Sequence, residues 1–334
     1  MNALSAFVTN LTQDRFLRKV VDNAYSGNVL TMKLMPQARI LNGGESFKIP
    51  VALSKKNNVG SYSGFDSFVT TQEDIRQLAV YYPAQVYASA SVSGIQKAAN
   101  SGDAAVVDLV AQELEYMSKA LKDELGDELY GDGTGNANKD ILGLQAIVDD
   151  STTSSTLAGI SRSTYTNWKA TRTAQSGSFA LANLAADVDA AQVGSDMPDL
   201  IVTTPAIWTL YEALLTPTVS HNFGEFRVTA DGNMPLAMLG GNQGFRALQF
   251  RGIPVVSDEK CTAQNLYVLN TNHLWFYKMP QPIGFTIESE YDGWGWSGWL
   301  KGQNQDAVTG HIQTYLQLCT DAPRTMARRT GITS

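Results

Sequence analysis

The glycine-rich segment 131–144 is where residue types and spacing first suggest chemistry. Oxygen-bearing side chains alternate along it: Asp132, Thr134, Asn136, Asn138 and Asp140. This is the spacing of ligands in a calcium loop, but Ala137 stands where the sharp turn requires glycine, and Gly143 stands where a glutamate should close the shell. The glycines do not match GxGxxG and follow a helix instead of opening one. We interpret the segment as a loop that ends a helix.

Three histidines and two cysteines are the other candidates for nucleophilic or metal chemistry. His221, His273 and His311 are each more than five residues from any other histidine or cysteine, whereas zinc ligands come in closely spaced pairs. Neither GxxxxGK[ST] nor GxSxG occurs. A dyad of Cys261 with a histidine stays open, although free cysteine is commonly a small apolar residue of the core. We expect no catalytic residue, no metal and no cofactor.

Three tryptophans cluster in the stretch Tyr-Asp-Gly-Trp-Gly-Trp-Ser-Gly-Trp: Trp294, Trp296 and Trp299. The first two fall on one side of an extended segment, where they could stack on a sugar or anchor an interface. The interpretation we favour is an aromatic plug in a loop-rich core. The sequence does not identify a glycosidase pair, because among 32 acidic residues some carboxylates must lie close together by chance.

The clearest element that could position side chains is a helix over residues 103–130. Apolar residues recur every three or four positions along it: Val107, Val110, Leu114, Met117, Leu121, Leu125 and Leu129. The period predicts a helix about 40 Å long that ends at Gly131 and has Ser101 or Asp103 as its cap. We expect local fraying at Gly126, since glycine costs about 1 kcal/mol relative to alanine in a helix.

A protruding hairpin is predicted before this helix, whereas residues 1–45 lack a strong core pattern. Phe47, Ile49 and Val51 alternate with polar residues as in a strand, and Pro50 among them favours an edge strand. A polar tip follows at 54–64, and a second extended segment spans 77–93. Two extended arms around a tip with few core-forming side chains are typical of a hairpin.

The rest of the chain predicts a mixture of helices and strands. Residues 149–180 are rich in serine and threonine and are interpreted as long loops. Helices are expected at 181–193 and, capped by Thr204, at 205–215. Strands are expected at 200–203, 247–250, 255–256, 266–269, 273–277, 283–290 and 308–319. Because the two kinds of element do not alternate regularly, the class is α+β.

The charge composition is unusual for a globular chain. Charged residues make up 17% against about 25% in typical proteins, while hydrophobic residues are at 43%. This excludes a charge-driven disordered chain and hints that other protein covers much of the surface. The net charge of −7 excludes a basic nucleic-acid footprint over the whole chain. The charge is unevenly spread: residues 1–50 carry +3, residues 103–140 carry −7 and the last eleven residues carry +3.

Targeting and membrane signals are not found. The N-terminus does not read as a signal peptide, and no run approaches the roughly 18 apolar residues of a membrane helix. Two cysteines form no disulfide framework. We expect a soluble protein that is made and used in a reducing cytoplasm.

In their order and spacing, these features resemble the major capsid proteins of tailed bacteriophages, which have the Hong Kong 97 type fold. The resemblance covers almost the whole chain. It rests on Gly43-Gly44 before the strand to Val51, on the long helix with its glycine-rich exit to Leu144, on the strand, proline and aromatic helix of 200–210, and on Gly252-Ile-Pro-Val-Val256. The proline common in the family's glycine-rich exit is missing here, with 136–140 in its place.

The resemblance implies an α+β fold divided in the manner of that family. An N-terminal arm would occupy 1–45 and an E-loop hairpin 46–80. A P-domain would comprise 81–150 and 283–334, with its spine helix at 103–130, and an A-domain would comprise 151–282. The sequence shows no long charged propeptide at its start, which implies a separate scaffolding protein.

By this resemblance the protein would be a major capsid protein and not an enzyme. It would self-assemble as pentamers and hexamers into an icosahedral shell around the double-stranded DNA of a phage, without sequence-specific binding and without a membrane. Scaffolding, portal and decoration proteins would be its partners. Its location would be the virion capsid after assembly in the host cytoplasm. Some relatives cross-link an E-loop lysine to a neighbour's asparagine, but we expect none here.

Subunit contacts are expected in the arm, at the hairpin tip, on the acidic helix and at the basic C-terminus. The residues are Phe7, Arg15, Phe16, Arg18, Lys19, Lys55, Lys56, Tyr62, Phe65, Glu113, Glu124, Arg328 and Arg329. Arg15, Arg18 and Lys19 would face a neighbour's acidic helix. Two alternatives stay open: an encapsulin-type compartment shell of the same fold, and a β-rich glycan-binding protein or glycosidase that uses Trp294–Trp299.

Overall fold

The computed structural model describes residues 28–99, 109–215, 247–280, 285–286, 294–302 and 304–333. In these residues helices and strands follow one another without regular alternation, which confirms the α+β class. The helices are α1 (Val29–Leu34), α2 (Gly94–Ala99), α3 (Leu109–Leu129), α4 (Gly135–Asn138), α5 (Leu144–Ile147), α6 (Leu181–Ala191) and α7 (Pro205–Leu215). Short 3-10 helices lie at Thr166–Trp168, Thr271–His273 and Pro323–Thr325.

The strands of the described residues are numbered in chain order. The first eight are β1 (Arg39–Ile40), β2 (Phe47–Ala52), β3 (Arg76–Tyr81), β4 (Ala84–Ser93), β5 (Thr156–Leu157), β6 (Ile160–Ser161), β7 (Thr171–Ser178) and β8 (Leu200–Thr203). The others are β9 (Ala247–Phe250), β10 (Ile253–Ser257), β11 (Leu266–Leu269), β12 (Leu274–Met279), β13 (Phe285–Thr286), β14 (Gly295–Trp296), β15 (Leu300–Lys301), β16 (Ala307–Thr320) and β17 (Ala327–Thr333).

A seven-stranded sheet is built around β16. This strand pairs antiparallel with β4 from Ala307–Ser93 to Leu316–Ala84, and also with β12, β14 and β15. Its inward side chains, among them Ile312 and Leu316, are fully buried. Helix α3 packs against β4 and β16. The long helix therefore lies along one face of this sheet.

Helix α3 is the described part of the predicted spine helix. The predicted start at 103 and its caps lie outside the described residues. The apolar face is buried as expected, from Met117 to Leu129. The expected fraying at Gly126 is wrong, because the helix is continuous to Leu129. A Cβ at Gly126 would lie 3.1 Å from Asn28 Nδ2, so the glycine allows α1 to approach the helix closely.

Helix α1 is a buried element within the segment that was expected to be an arm. Leu30 and Leu34 are 0% exposed, and the Asn28 side chain caps the helix by accepting a hydrogen bond from Thr31 N at 2.7 Å. The absence of a core pattern in 1–45 is therefore wrong for this part. A helix of only six residues shows too few apolar positions for its period to be recognised. Residues 1–27 lie outside the described residues.

A six-stranded sheet has the order β7-β17-β11-β8-β10-β9. One face packs on α6 and α7 through Leu184, Val188 and Tyr211, while Val202 and Tyr267 on the other face join the main core. Thr204 caps α7 as predicted, since its Oγ1 accepts from Ile207 N at 3.4 Å.

Two strands that the sequence did not predict, β7 and β17, belong to this sheet. Strand β7 lies in 149–180, which was interpreted as loops, and it pairs in parallel with β17. Strand β17 in turn pairs with β11, although 283–334 was assigned to the P-domain. The domain boundaries stay a prediction, but the sheet pairing crosses them, because backbone hydrogen bonds join segments that are far apart in sequence.

The predicted hairpin is present. Strands β2 and β3 pair antiparallel in a two-stranded sheet, from Phe47–Tyr81 to Ala52–Arg76. The second extended segment is not one strand, because β3 ends at Tyr81 and β4 begins at Ala84, where it joins the seven-stranded sheet. The hairpin thus continues directly into the sheet that carries α3.

Candidate subunit interfaces

The hairpin tip, which we define as residues 53–75, exposes apolar side chains. Five large ones are at least 65% exposed: Val59, Tyr62, Phe65, Phe68 and Val69. Scattered exposed apolar residues are normal, but several close together on one short segment indicate an interaction surface. Two of the five, Tyr62 and Phe65, were predicted as interface residues. Lys55 and Lys56, also predicted, are exposed on the same tip.

Local contacts give the tip its shape without covering its apolar side chains. Leu53 N donates to Ile75 O at 2.9 Å where the tip begins. Ser63 N donates to Asp66 Oδ2 at 2.8 Å, and the rings of Tyr62 and Phe68 meet edge to face at 5.0 Å. Among the described residues, 53–75 contain no helix or strand. The tip is therefore an extended loop that presents aromatic rings to its surroundings.

The acidic face of α3 is partly neutralised within the chain. Lys260, after β10, forms ion pairs with Asp123 at 2.9 Å and Asp127 at 2.8 Å. Of the two acids predicted to contact a neighbour, Glu124 is exposed and Glu113 is half-buried. The contribution of Lys260 could not be read from the charge of residues 103–140 alone, because it comes from a distant segment.

Arg328 and Arg329 are 4% and 5% exposed, so their predicted place at a subunit interface is wrong. They lie in β17, between β7 and β11 in the six-stranded sheet. Arg329 binds both carboxylate oxygens of Asp187, at 2.6 and 2.8 Å, and Gln175 Oε1 at 3.0 Å. Arg328 donates to Gln145 O at 3.1 Å. Burial raises the pKa of Asp187, and Arg329 opposes that rise.

The arm residues predicted to contact a neighbour lie outside the described residues. They are Phe7, Arg15, Phe16, Arg18 and Lys19. Their role at an interface stays a prediction.

The segment 131–144 uses its oxygen-bearing side chains internally. Asp132 Oδ1 accepts from Thr134 N at 3.0 Å and from Thr134 Oγ1 at 2.7 Å, which lowers the pKa of Asp132. Asn136 Nδ2 donates to Asp140 Oδ1 at 2.8 Å. In the part of the chain that the structure describes, no group of three or more metal-binding side chains was found. The contacts are those of a loop that ends a helix.

The two cysteines pack in the core, and His273 pairs with an acid. Cys261 and Cys319 are buried, and burial raises the pKa of both thiols well above the ordinary value. The Cys261 thiol approaches Asn265 O at 3.8 Å. His273 Nδ1 instead lies 2.8 Å from Asp321 Oδ1. A thiol whose ionised form is disfavoured is a poor nucleophile, so the described residues do not support a dyad of Cys261 with His273.

The tryptophan cluster is an aromatic plug, as we favoured. Trp294 is 1% exposed within the main core. The rings of Trp296 and Trp299 meet edge to face at 5.5 Å and pack against the same core. Trp296 covers Gly310 of β16 so closely that a Cβ there would overlap its ring. The cluster therefore offers no open platform of three rings for a sugar.

A buried junction around Asp258 was not predicted. Its Oδ2 accepts from Val29 N at 3.2 Å and from Tyr130 Oη at 2.9 Å, and its Oδ1 accepts from Lys260 N at 3.0 Å. The residue thereby joins α1, the end of α3 and the end of β10. Burial raises the pKa of Asp258, and these hydrogen bonds oppose the rise. The sequence did not reveal this role, because an acid that follows a strand is also common in ordinary surface turns.

Comparisons with known proteins rest on structure. No family model matches the sequence, and the search of curated proteins found no match. The capsid of cyanophage A-1(L) has a similar structure, with a TM-score of 0.73 and 18% identity over 98% of both chains. The structure from Mycobacterium phage Adephagia gives a TM-score of 0.57 and 12% sequence identity, over 100% of this chain and 99% of that one.

An encapsulin also has a similar structure. The SrpI encapsulin of Synechococcus elongatus gives a TM-score of 0.59 and 11% identity, over 99% of this chain and 96% of that one. The chain therefore has the Hong Kong 97 type capsid fold, over nearly its full length. No helix of the described residues is long and apolar enough to cross a membrane.

Proposed function

We propose that this protein is the major capsid protein of a tailed bacteriophage and self-assembles into an icosahedral shell around double-stranded DNA. The observation that carries the proposal is the hairpin tip, an exposed apolar segment on a chain with the capsid fold. Pentamers and hexamers of the chain would form the shell. We assign it no catalytic role, in keeping with the buried cysteines and the internally bonded loop 131–144.

Assembly gives the apolar tip a partner. Burying one large apolar side chain contributes about 1.5–3 kcal/mol, so covering Phe65 and Tyr62 alone would contribute several kcal/mol to each contact. In a closed symmetric shell every copy offers the same tip and the same receiving surface, so no tip is left uncovered. Lys55 and Lys56 would lie at this contact, without a covalent cross-link.

The N-terminal arm would provide a second contact. Arg15, Arg18 and Lys19 would face Glu113 and Glu124 of a neighbour, two acids of α3 that Lys260 does not neutralise. Reversing the three basic charges should impair assembly. Shells of unchanged yield and salt stability would contradict this part of the proposal.

The partners and location follow from the proposed role. A separate scaffolding protein and a portal protein would take part in assembly in the host cytoplasm, decoration proteins would bind the finished virion capsid, and the enclosed DNA would be held without sequence-specific contacts. The net charge of −7 suits such a wall, because an acidic shell does not grip the phosphate backbone.

The test is assembly of the full chain, observed by negative-stain electron microscopy with and without co-expressed scaffold. We expect closed shells from the natural sequence and soluble subunits from Phe65→Asp and Tyr62→Asp. Ser61→Asp is the matched control, because it adds the same charge at an exposed polar residue of the tip. Normal shells from both aromatic variants would exclude the tip as the assembly contact.

The second candidate is an encapsulin-type compartment, favoured by the likeness to SrpI. The contents of purified shells discriminate between the two: nucleic acid with portal or scaffold supports the phage capsid, and a protein cargo supports the compartment. A glycan-binding role is disfavoured because Trp294 is buried.

A further inference from the structure

Glu128 joins the end of the long helix to the loop that leaves it. It is the penultimate residue of α3 and is 9% exposed. Its Oε2 accepts a hydrogen bond from Ile141 N at 3.2 Å, across the segment 131–143, which we call the exit loop. The next amide, Leu142 N, donates to Gln317 Oε1 of β16 at 3.0 Å. Glu128 and Gln317 thus fix adjacent residues at the far end of the exit loop.

The electrostatic surroundings of Glu128 disfavour its charge. In the described part of the chain, the charged groups acting on this carboxyl are Asp140, on the exit loop, and Glu124, one turn earlier on α3. Both are acids. By contrast, the buried Asp187 has Arg329 at 2.6 Å. A buried carboxylate between two acids is expected to bind a proton more readily than a free glutamate.

The pKa of Glu128 agrees with that expectation. Burial, followed by the charges of Asp140 and Glu124, raises it from 4.5 to about 7, and the hydrogen bond from Ile141 N opposes the rise. The carboxyl therefore changes its charge near neutral pH.

The exit loop packs tightly against the end of α3, so repulsion between an ionised Glu128 and the loop should displace the loop. A Cβ at Gly143 would collide with the backbone oxygens of Gly131 and Glu128. Asn136, Ala137 and Asn138 all have left-handed backbone angles, with φ of 47°, 59° and 64°, which cost energy in residues other than glycine. A strained loop with one close-fitting arrangement has little capacity to absorb repulsion between Glu128 and Asp140.

We propose that Glu128 is a proton-operated clamp between α3 and the exit loop. Protonated, Glu128 is not repelled by Asp140 and Glu124, its Oε2 still accepts from Ile141 N, and the loop stays packed on the helix end. Ionised, it accepts more strongly from Ile141 N, but burial and the repulsion from the two acids outweigh that gain, so the loop loosens and admits water. The clamp is a property of the subunit and does not depend on the proposed capsid function.

The test is hydrogen exchange measured by mass spectrometry on the full chain between pH 5.5 and 8.5. Rates for peptides from 130–143 are corrected for the chemical effect of pH on exchange. We expect the corrected rate to rise about tenfold through pH 7 in the natural sequence and to stay constant in Glu128→Gln. Glu115→Gln changes an exposed acid of the same helix that is not among the charges acting on Glu128, so it should keep the rise and its midpoint. Identical profiles in the natural chain and Glu128→Gln would overturn the proposal.

A second variant keeps the proposal testable if Glu128→Gln does not fold. Asp140→Asn removes a charge that raises the pKa of Glu128, so the midpoint of the exchange transition should move to lower pH. Asp140 also holds Asn136, so the overall exchange rate of the loop can change as well. The midpoint is the decisive quantity, and an unchanged midpoint would contradict the clamp.

Discussion

The hairpin tip and strand β17 invert the usual relation between polarity and burial in opposite ways. The tip exposes Phe65 and its apolar neighbours, whereas β17 buries Arg328 and Arg329. The buried arginines find acceptors within the chain, at Asp187 and Gln145. The apolar rings of the tip are left uncovered by the described residues. An apolar surface that its own chain leaves uncovered favours contact with another molecule, so the tip is a better candidate for the proposed subunit interface than the basic C-terminus.

The largest expected effect is on the β17 side of this comparison. Arg329→Met leaves Asp187 buried without its ion pair and should lower the free energy of unfolding by about 3–5 kcal/mol. Arg324→Met is the control, because Arg324 is exposed just before β17 and should change stability by no more than about 0.5 kcal/mol. Urea unfolding followed by circular dichroism measures both. Equal losses of stability in the two variants would mean that the buried ion pair of Arg329 contributes no more to folding than an exposed arginine does.

Glu128 sharpens the contrast with Asp187, because the charges that act on it within the described part of the chain are both acids. The folded-state pKa of Glu128 is about 7 and its ordinary value is 4.5, so the folded protein binds the proton more tightly. The stability that protonated Glu128 contributes is fully present below pH 4.5 and is lost as the pH rises through 7. The loss has an upper bound of about 3 kcal/mol.

Glu128→Gln should therefore be more stable than the natural chain by about 1–3 kcal/mol at pH 8 and equal to it near pH 4.5. Urea unfolding at the two pH values measures the difference. If the variant is no more stable at pH 8, the carboxyl is solvated enough to ionise without cost.

Packing within the core gives a smaller effect. Gly310→Ala places a methyl group against the ring of Trp296 and should cost about 1–3 kcal/mol. Gly302→Ala is the matched control, because its nearest neighbour would be Gln305 Cβ at an ordinary 3.6 Å. Thermal unfolding of the two variants compares them. A neutral Gly310→Ala would show that the tryptophan cluster yields easily and is not a rigid plug.

The smallest effect on stability is expected at the tip, where it is most informative. Phe65→Asp should leave the free energy of unfolding of the subunit within about 0.5 kcal/mol of the natural value, although it removes assembly. Chemical unfolding of dilute, unassembled subunits is the measurement. A marked loss of stability would show that Phe65 packs within its own chain, and the comparison with β17 would fail.

Elements with a strong local pattern could be predicted from the sequence. The apolar period of α3 requires one buried face, and Met117, Leu121 and Leu125 occupy it. The alternation in β2 similarly predicts a half-buried strand, and Thr204 marks the start of α7 through its hydroxyl. In each case neighbouring residues carry the whole signal, so no knowledge of distant segments is needed.

Elements that depend on distant partners could not be predicted. Strand β7 has a serine- and threonine-rich sequence typical of loops, and it is a strand because β17 supplies its hydrogen bonds. Helix α1 is too short to show a period and is held by Asp258, which lies 229 residues after Val29. Arg329 belongs to a C-terminal segment with the composition of a basic tail. It becomes a core residue only because Asp187 faces it.

The sequence by itself determined the α+β class, the long amphipathic helix and the hairpin, because each follows from periodicity within a short window. It also carried the order of elements that resembles the capsid proteins. Only the tertiary structure decided which charges lie inside and which apolar residues stay outside. Those outcomes depend on whether a partner is brought within a few ångströms, and residues as far apart as Asp187 and Arg329 meet only once the sheets have formed.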